Sequence, residues 1–136
     1  YCGQSALPLA PDSLYYLTND AIENCTVYDF QNNRAGQVYD FGRAMGKDPY
    51  ELFLSGPLSL LTMENPQAQA GRELILFRDS FGSSIAPLLI SGYSKITLVD
   101  IRYIHPDYLA RFIDFEGCDV LFLYSTLVLN NSETLK

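Results

Sequence analysis

The chain has 136 residues, 48 % apolar and 18 % charged, a globular composition long enough for one domain with a usable core. Lys and Arg number 9 against 16 Asp and Glu, a net charge of −7, which argues against a phosphate-binding basic stripe and so against nucleic-acid partners. No apolar run approaches the ~20 residues that cross a bilayer, so no membrane span is expected.

The first residues, YCGQSALPLAP, contain no signal peptide and no initiator Met, and they read like the interior of a longer protein. The cysteines are Cys2, Cys25 and Cys118, an odd number and a poor disulfide framework. A single Cys2–Cys25 bridge is compatible with the spacing. Cys118, beside an apolar run, is expected to be a buried thiol. Residues 1–70 hold most of the Pro, Gly and Asn in short patterned pieces. TVYDF (26–30) and GQVYDF (36–41) flank the turn-like QNNRAG and predict a hairpin. DPYELFL (48–54) predicts a short helix capped by Asp48 with Pro49 at its first position. SLLTMEN (59–65) predicts a strand ended by Asn65-Pro66.

After Gly71 the pattern is plainer. ELILF (73–77) is a continuous apolar run, as in a strand buried on both faces. Phe81, Ile85, Leu88 and Leu89 repeat as one helix face, and Pro87 cannot donate within that helix. KITLVD (95–100) predicts a strand, HPDYLARFIDF (105–115) a helix and CDVLFLY (118–124) a third strand. The tail NNSETLK predicts a last helix capped by Ser132. Strand, helix, strand, helix, strand is the βαβαβ pattern of a doubly wound parallel sheet.

That pattern orders the chemistry. Ligands of open parallel sheets bind beyond the carboxyl ends of the strands. Arg78-Asp79-Ser80-Phe81-Gly82, Asp100-Ile101-Arg102-Tyr103 and Tyr124-Ser125-Thr126 all leave those ends. Ser80, Arg102, Tyr103, His105, Tyr124 and Ser125 are therefore expected along one cleft. Ser80 stands where a strand turns into a helix, and the amides there favour developing negative charge, with Gly82 allowing close approach. The same position suits a plain helix cap by Ser80 or Ser83. A nucleophilic hydroxyl needs a base, and His105 is the single histidine. Asp79 points away from its neighbour Ser80 in extended chain and is a poor partner for it. Asp79 or Asp100 with Arg78 or Arg102 is expected to form an ion pair in the cleft floor. No metal-ligand spacing and no phosphate loop are present, so no metal or cofactor is expected.

The stretch LILFRDSFGSSIAPLLISGYSKITLVDIRYI resembles the serine block of the DHHW family, cell-envelope proteins of Gram-positive bacteria similar to SGNH hydrolases and to the alginate O-acetyltransferase group. The likeness covers residues 48–131 and is silent for 1–40. It implies a flavodoxin-like three-layer α/β/α fold, a parallel sheet with a β-hairpin-containing N-terminal part. It also implies that Ser80 is the nucleophile of ester hydrolysis or acyl transfer. Arg102, Tyr103 and Tyr124 would then shape the pocket, with the oxyanion held near Ser80 and Gly82. Two features depart from the pattern. Arg78 stands where SGNH blocks usually have Gly, and the Asp-His-His-Trp motif is absent from these residues. In related acetyltransferases that Asp and His precede the serine block. The expectation is thus a single α/β domain over 1–136, with a β-rich 1–70 and a βαβαβ 71–136. It would be the C-terminal part of a longer cell-envelope or extracellular protein that acts on a carbohydrate or acyl ester, and it would be nearly inactive alone. The alternative is a non-catalytic carbohydrate-binding module. An exposed apolar face also suggests a homodimer.

Overall fold

The computed structural model describes residue 10, residues 12–69 and 71–131, and residues 133 and 135. A sheet of six strands, in the order β2-β1-β3-β5-β4-β6, organises them. The strands are β1 (Thr26–Asp29), β2 (Arg34–Gly36), β3 (Leu60–Glu64), β4 (Glu73–Arg78), β5 (Lys95–Val99) and β6 (Asp119–Leu123). The helices are α1 (Asp20–Glu23), α2 (Phe41–Ala44), α3 (Ser80–Leu89) and α4 (Thr126–Asn130), joined by 3₁₀ turns at Pro49–Leu52, Ile90–Gly92 and Pro106–Arg111.

The sheet is mixed: the three strands of the expected βαβαβ unit are parallel, and the strands before it are not. Only β5, β4 and β6 run parallel; β3 is antiparallel to β5 and to β1, and β1 to β2. A hairpin and a strand that returns beside β5 need no crossover, so the N-terminal pieces add in the antiparallel sense. The predicted hairpin is present, but its second strand is Arg34–Gly36 and not 36–41. Val38 and Tyr39 instead engage Leu54 and Phe53.

β4 lies between β5 and β6 and is buried along Leu74–Arg78, as its unbroken apolar run requires. Leu74 and Leu76 join one core with Ala86 and Ile90, and Ile75 and Phe77 join a second with Leu109 and Ile113. The connections that follow β4 and β5 thus pack on opposite faces of the sheet. The face of α3 differs from expectation. Gly82, Ser83, Ala86 and Pro87 are buried, whereas Phe81 and Leu88 are exposed. The helix lies so close to the sheet that only small side chains fit beneath it. A Cβ on Gly82 would sit 2.3 Å from the Cβ of Arg78.

The predicted helix over 105–115 is a 3₁₀ segment of six residues. Its buried anchors are Leu109 and, just beyond the segment, Ile113. A helix that the pattern did not predict, α4, follows β6 with Ser125 as its cap, while the helix expected from the tail falls partly outside the described residues. Ser132 and Cys2 lie outside the described residues.

Cys25 and Cys118 are free, half-buried thiols. Burial pushes the Cys25 thiol from 9.0 up to about 11, with Glu64 nearby. Only the thiolate attacks alkylating reagents. At pH 8, iodoacetamide is expected to modify Cys25 about a hundredfold more slowly than a peptide thiol of pKa 9, the ratio of the two thiolate populations. A raised thiol pKa stabilises the fold below pH 9, and that contribution is lost as pH rises towards 11. Alkylation at the peptide rate would show that the site is open.

Candidate functional site

β4 and β5 are neighbours whose following segments turn to opposite faces. That is the arrangement which opens a crevice at the carboxyl ends of parallel strands. Here the crevice floor is charged. Arg78 and Asp100 are both fully buried, with Nη1 of Arg78 3.6 Å from the Asp100 carboxylate. Arg102 grips the same carboxylate with Nε at 2.9 Å and Nη2 at 2.6 Å. Arg78 also donates from Nη2 to the Leu58 carbonyl at 2.9 Å and from Nη1 to the Asp79 carbonyl at 3.5 Å. Two buried carboxylates and two guanidinium groups balance, as such burial demands. Burial pulls the Arg78 pKa down against the opposing pull of Asp100, whereas hydrogen bonding to Asp100 raises that of Arg102. The expected ion pair in the cleft floor is present. What the sequence did not reveal is how deep it lies, or that Arg78 Nε and the Tyr124 hydroxyl are buried with no partner among the described residues.

Ser80 sits directly above this floor. It is the first residue of α3 and is exposed. It does not cap its helix. Asp79 does, its Oδ1 accepting the Phe81 N–H at 3.0 Å. The Gly82 N–H donates to the Asp79 carbonyl at 3.1 Å, while the Ser80 hydroxyl has no hydrogen bond among the described residues. Ser80, Ser83 and Arg78 line a cavity of about 130 Å³ with Tyr50, Phe53 and Pro57. Gly56 also lines it, the last of three consecutive residues, Leu54, Ser55 and Gly56, with left-handed φ of 53°, 59° and 93°. For Leu54 and Ser55 that geometry costs about 1–2 kcal/mol each. Strained backbone of this kind tends to collect at functional sites. The Pro49–Leu52 turn that faces the cavity is the short helix predicted from Asp48 and Pro49, and its Tyr50 hydroxyl bonds Ser84 at 2.8 Å.

The remaining predicted residues divide. Arg102 and Tyr103 line a groove of about 430 Å³ with Leu127 and Val128 at the start of α4, and Arg102 lies over the Tyr103 ring at 5.3 Å. Tyr124 packs below, its hydroxyl pushed up to about 12 by burial and then by the Asp100 charge. His105 caps the Pro106–Arg111 turn, its Nδ1 accepting the Asp107 N–H at 3.3 Å. It is exposed, the Asp107 carboxylate lies 3.5 Å from the same nitrogen, and no hydrogen bond joins it to Ser80 among the described residues. Among the described residues no group of His, Cys, Asp and Glu could hold a metal ion, and no helix is long and apolar enough to cross a membrane.

No family model and no curated protein matches the chain. Solved structures do. A DHHW family protein from Eubacterium siraeum superposes with a TM-score of 0.56 over 82 % of this chain at 24 % identity. Over that stretch the chain shares the fold of the DHHW family protein. Bacillus cereus PatB1 is similar to the chain as well, at 22 % identity with TM-scores of 0.56 and, in a structure with a sulfonyl adduct, 0.55. The chain spans 38 % of the length of the Eubacterium protein and 36–38 % of the PatB1 chains.

Proposed function

We propose that these residues form the nucleophile-bearing portion of an SGNH-like esterase or O-acyltransferase that acts on a cell-envelope carbohydrate, with Ser80 as the acyl acceptor. The observation that carries this reading is the state of Ser80. It is an exposed, unpartnered hydroxyl at the carboxyl end of a central parallel strand, at the start of a ten-residue helix, beside a small cavity over a buried guanidinium. A helix start stabilises negative charge, as an oxyanion requires. The likeness to PatB1 fits, because a sulfonyl adduct is what an activated nucleophile forms. The Ser80 hydroxyl attacks the ester carbonyl, its proton passes through a base to the departing alkoxide, and the acyl group then moves from Ser80 to water or to a sugar hydroxyl, whose proton restores the serine.

His105, engaged with Asp107, is the weaker source of a base. The stronger is polypeptide beyond these residues, in keeping with the 38 % span. The outer edge of β6 suits its arrival. β6 ends the sheet, and Val120, Leu121 and Phe122 leave apolar surface on both of its faces at 46 %, 39 % and 64 % exposure. More strands and helices against β6 would complete a three-layer α/β/α domain. A second reading, a carbohydrate-binding module without catalysis, draws on the exposed Tyr103 and Tyr108, whose rings could stack on sugars.

A fluorophosphonate probe separates the two. The intact gene product is expected to take up one probe on Ser80, located by peptide mass. The Ser80→Ala variant should take up none, and the 136-residue chain should label far more slowly. Absence of label on Ser80 in the intact product would leave the binding module. Rapid labelling of the 136-residue chain that His105→Ala abolishes would restore His105 as the base.

A further inference from the structure

Asp79 is buried to 1 % exposure, and both of its carboxylate oxygens are occupied by backbone donors. Oδ1 takes the Phe81 N–H at 3.0 Å, an ordinary helix cap. Oδ2 takes the Ser125 N–H at 2.7 Å, across 46 residues of sequence. That second bond ties the turn after β4 to the turn after β6. The Asp79 N–H reinforces it by donating to the Leu123 carbonyl at 3.4 Å. Ser125 in turn caps α4, its Oγ accepting the Val128 N–H at 3.4 Å. Ser80 follows Asp79 directly, so its Cα is pinned between two helix starts by one carboxylate.

We infer that Asp79 is a positioning residue for Ser80, and that its bond to the Ser125 amide, not its cap on α3, sets the height of the Ser80 hydroxyl above the crevice. The inference rests on the reading of Ser80 as nucleophile. A misplacement of about 1 Å at a reacting atom can cost about a hundredfold in rate, so one charge-assisted hydrogen bond has leverage here.

The test removes that bond alone. Ser125 has φ −67°, which the proline ring adopts, so Ser125→Pro deletes the amide donor. Ser125→Ala keeps the amide and loses only the Oγ cap that both variants lack. Asp79→Ser, the second route, keeps a cap for α3 and cannot reach Ser125. In the intact gene product, Ser125→Pro and Asp79→Ser are expected to lower the maximal rate of fluorophosphonate labelling about tenfold or more relative to Ser125→Ala, with the half-saturating probe concentration unchanged. The Ser80 and Phe81 amide resonances should shift in both variants, while those of the β1–β2 hairpin stay in place. Equal labelling of Ser125→Pro and Ser125→Ala with unmoved Ser80 and Phe81 resonances would overturn the inference. If wild type takes no label, the nucleophile reading fails, and the resonances still decide whether Asp79 positions Ser80.

Discussion

Asp100→Ala is expected to lower the free energy of unfolding by about 3–5 kcal/mol, measured by urea denaturation of the chain. The carboxylate is fully buried and serves Arg102 twice, at 2.9 and 2.6 Å, and Arg78 at 3.6 Å. Arg102 reaches solvent and can rehydrate. Arg78 has no exposed surface, and Asp79, the carboxylate left beside it, is already engaged with two amides. The loss therefore strands a buried cation, which costs far more than the missing contact. Asp119→Ala is the internal standard. Its bond to Arg72 is as short, at 2.7 Å, but both side chains are half-exposed or more, so its removal should change stability little. Similar losses for the two variants would mean that the crevice floor is hydrated.

Gly82→Ala should be destabilising by about 3 kcal/mol even though alanine is the better helix former by about 1 kcal/mol. The added methyl would meet the Arg78 Cβ at 2.3 Å and Cγ at 3.0 Å, where carbon contacts normally lie at ~3.5–4.0 Å. The root of a fully buried arginine cannot swing aside, so the first turn of α3 must lift from the sheet and carry Ser80 with it. Labelling of Ser80 in the intact gene product should fall together with stability. Gly92→Ala, where nothing lies within 4 Å, supplies the comparison and is expected to change stability little. A Gly82→Ala variant as stable as wild type would show that α3 packs more loosely than described.

The strands were the most legible elements, because an apolar run such as ELILF has few other places to go than a doubly buried strand. β3, β4, β5 and β6 begin and end within two residues of where the pattern puts them. The Asp48-Pro49 start was legible for the same kind of local reason, a side chain that satisfies its own helix amide. The face of α3 was not. Its periodic large residues point to a stripe through Phe81 and Leu88, yet the buried stripe is Gly82, Ser83, Ala86 and Pro87. How closely a helix approaches a sheet is decided by what lies beneath it, here Arg78, and not by the hydropathy of the helix itself.

The site divides along the same line. The residues themselves determined that an Asp-Ser pair would stand at the end of a buried strand, with Arg78, Asp100 and Arg102 close by, because each follows directly from a strand ending. Only the tertiary structure decided that Asp79 and not Ser80 caps α3, that Ser80 is left unpartnered over a cavity, and that His105 belongs to its own turn with Asp107. The same holds for the link from Asp79 to Ser125 across 46 residues. Strand and cap signals are local, carried by a few neighbouring side chains. Which carboxylate oxygen meets which amide depends on how β4 and β6 lie side by side, and no spacing along the chain encodes that.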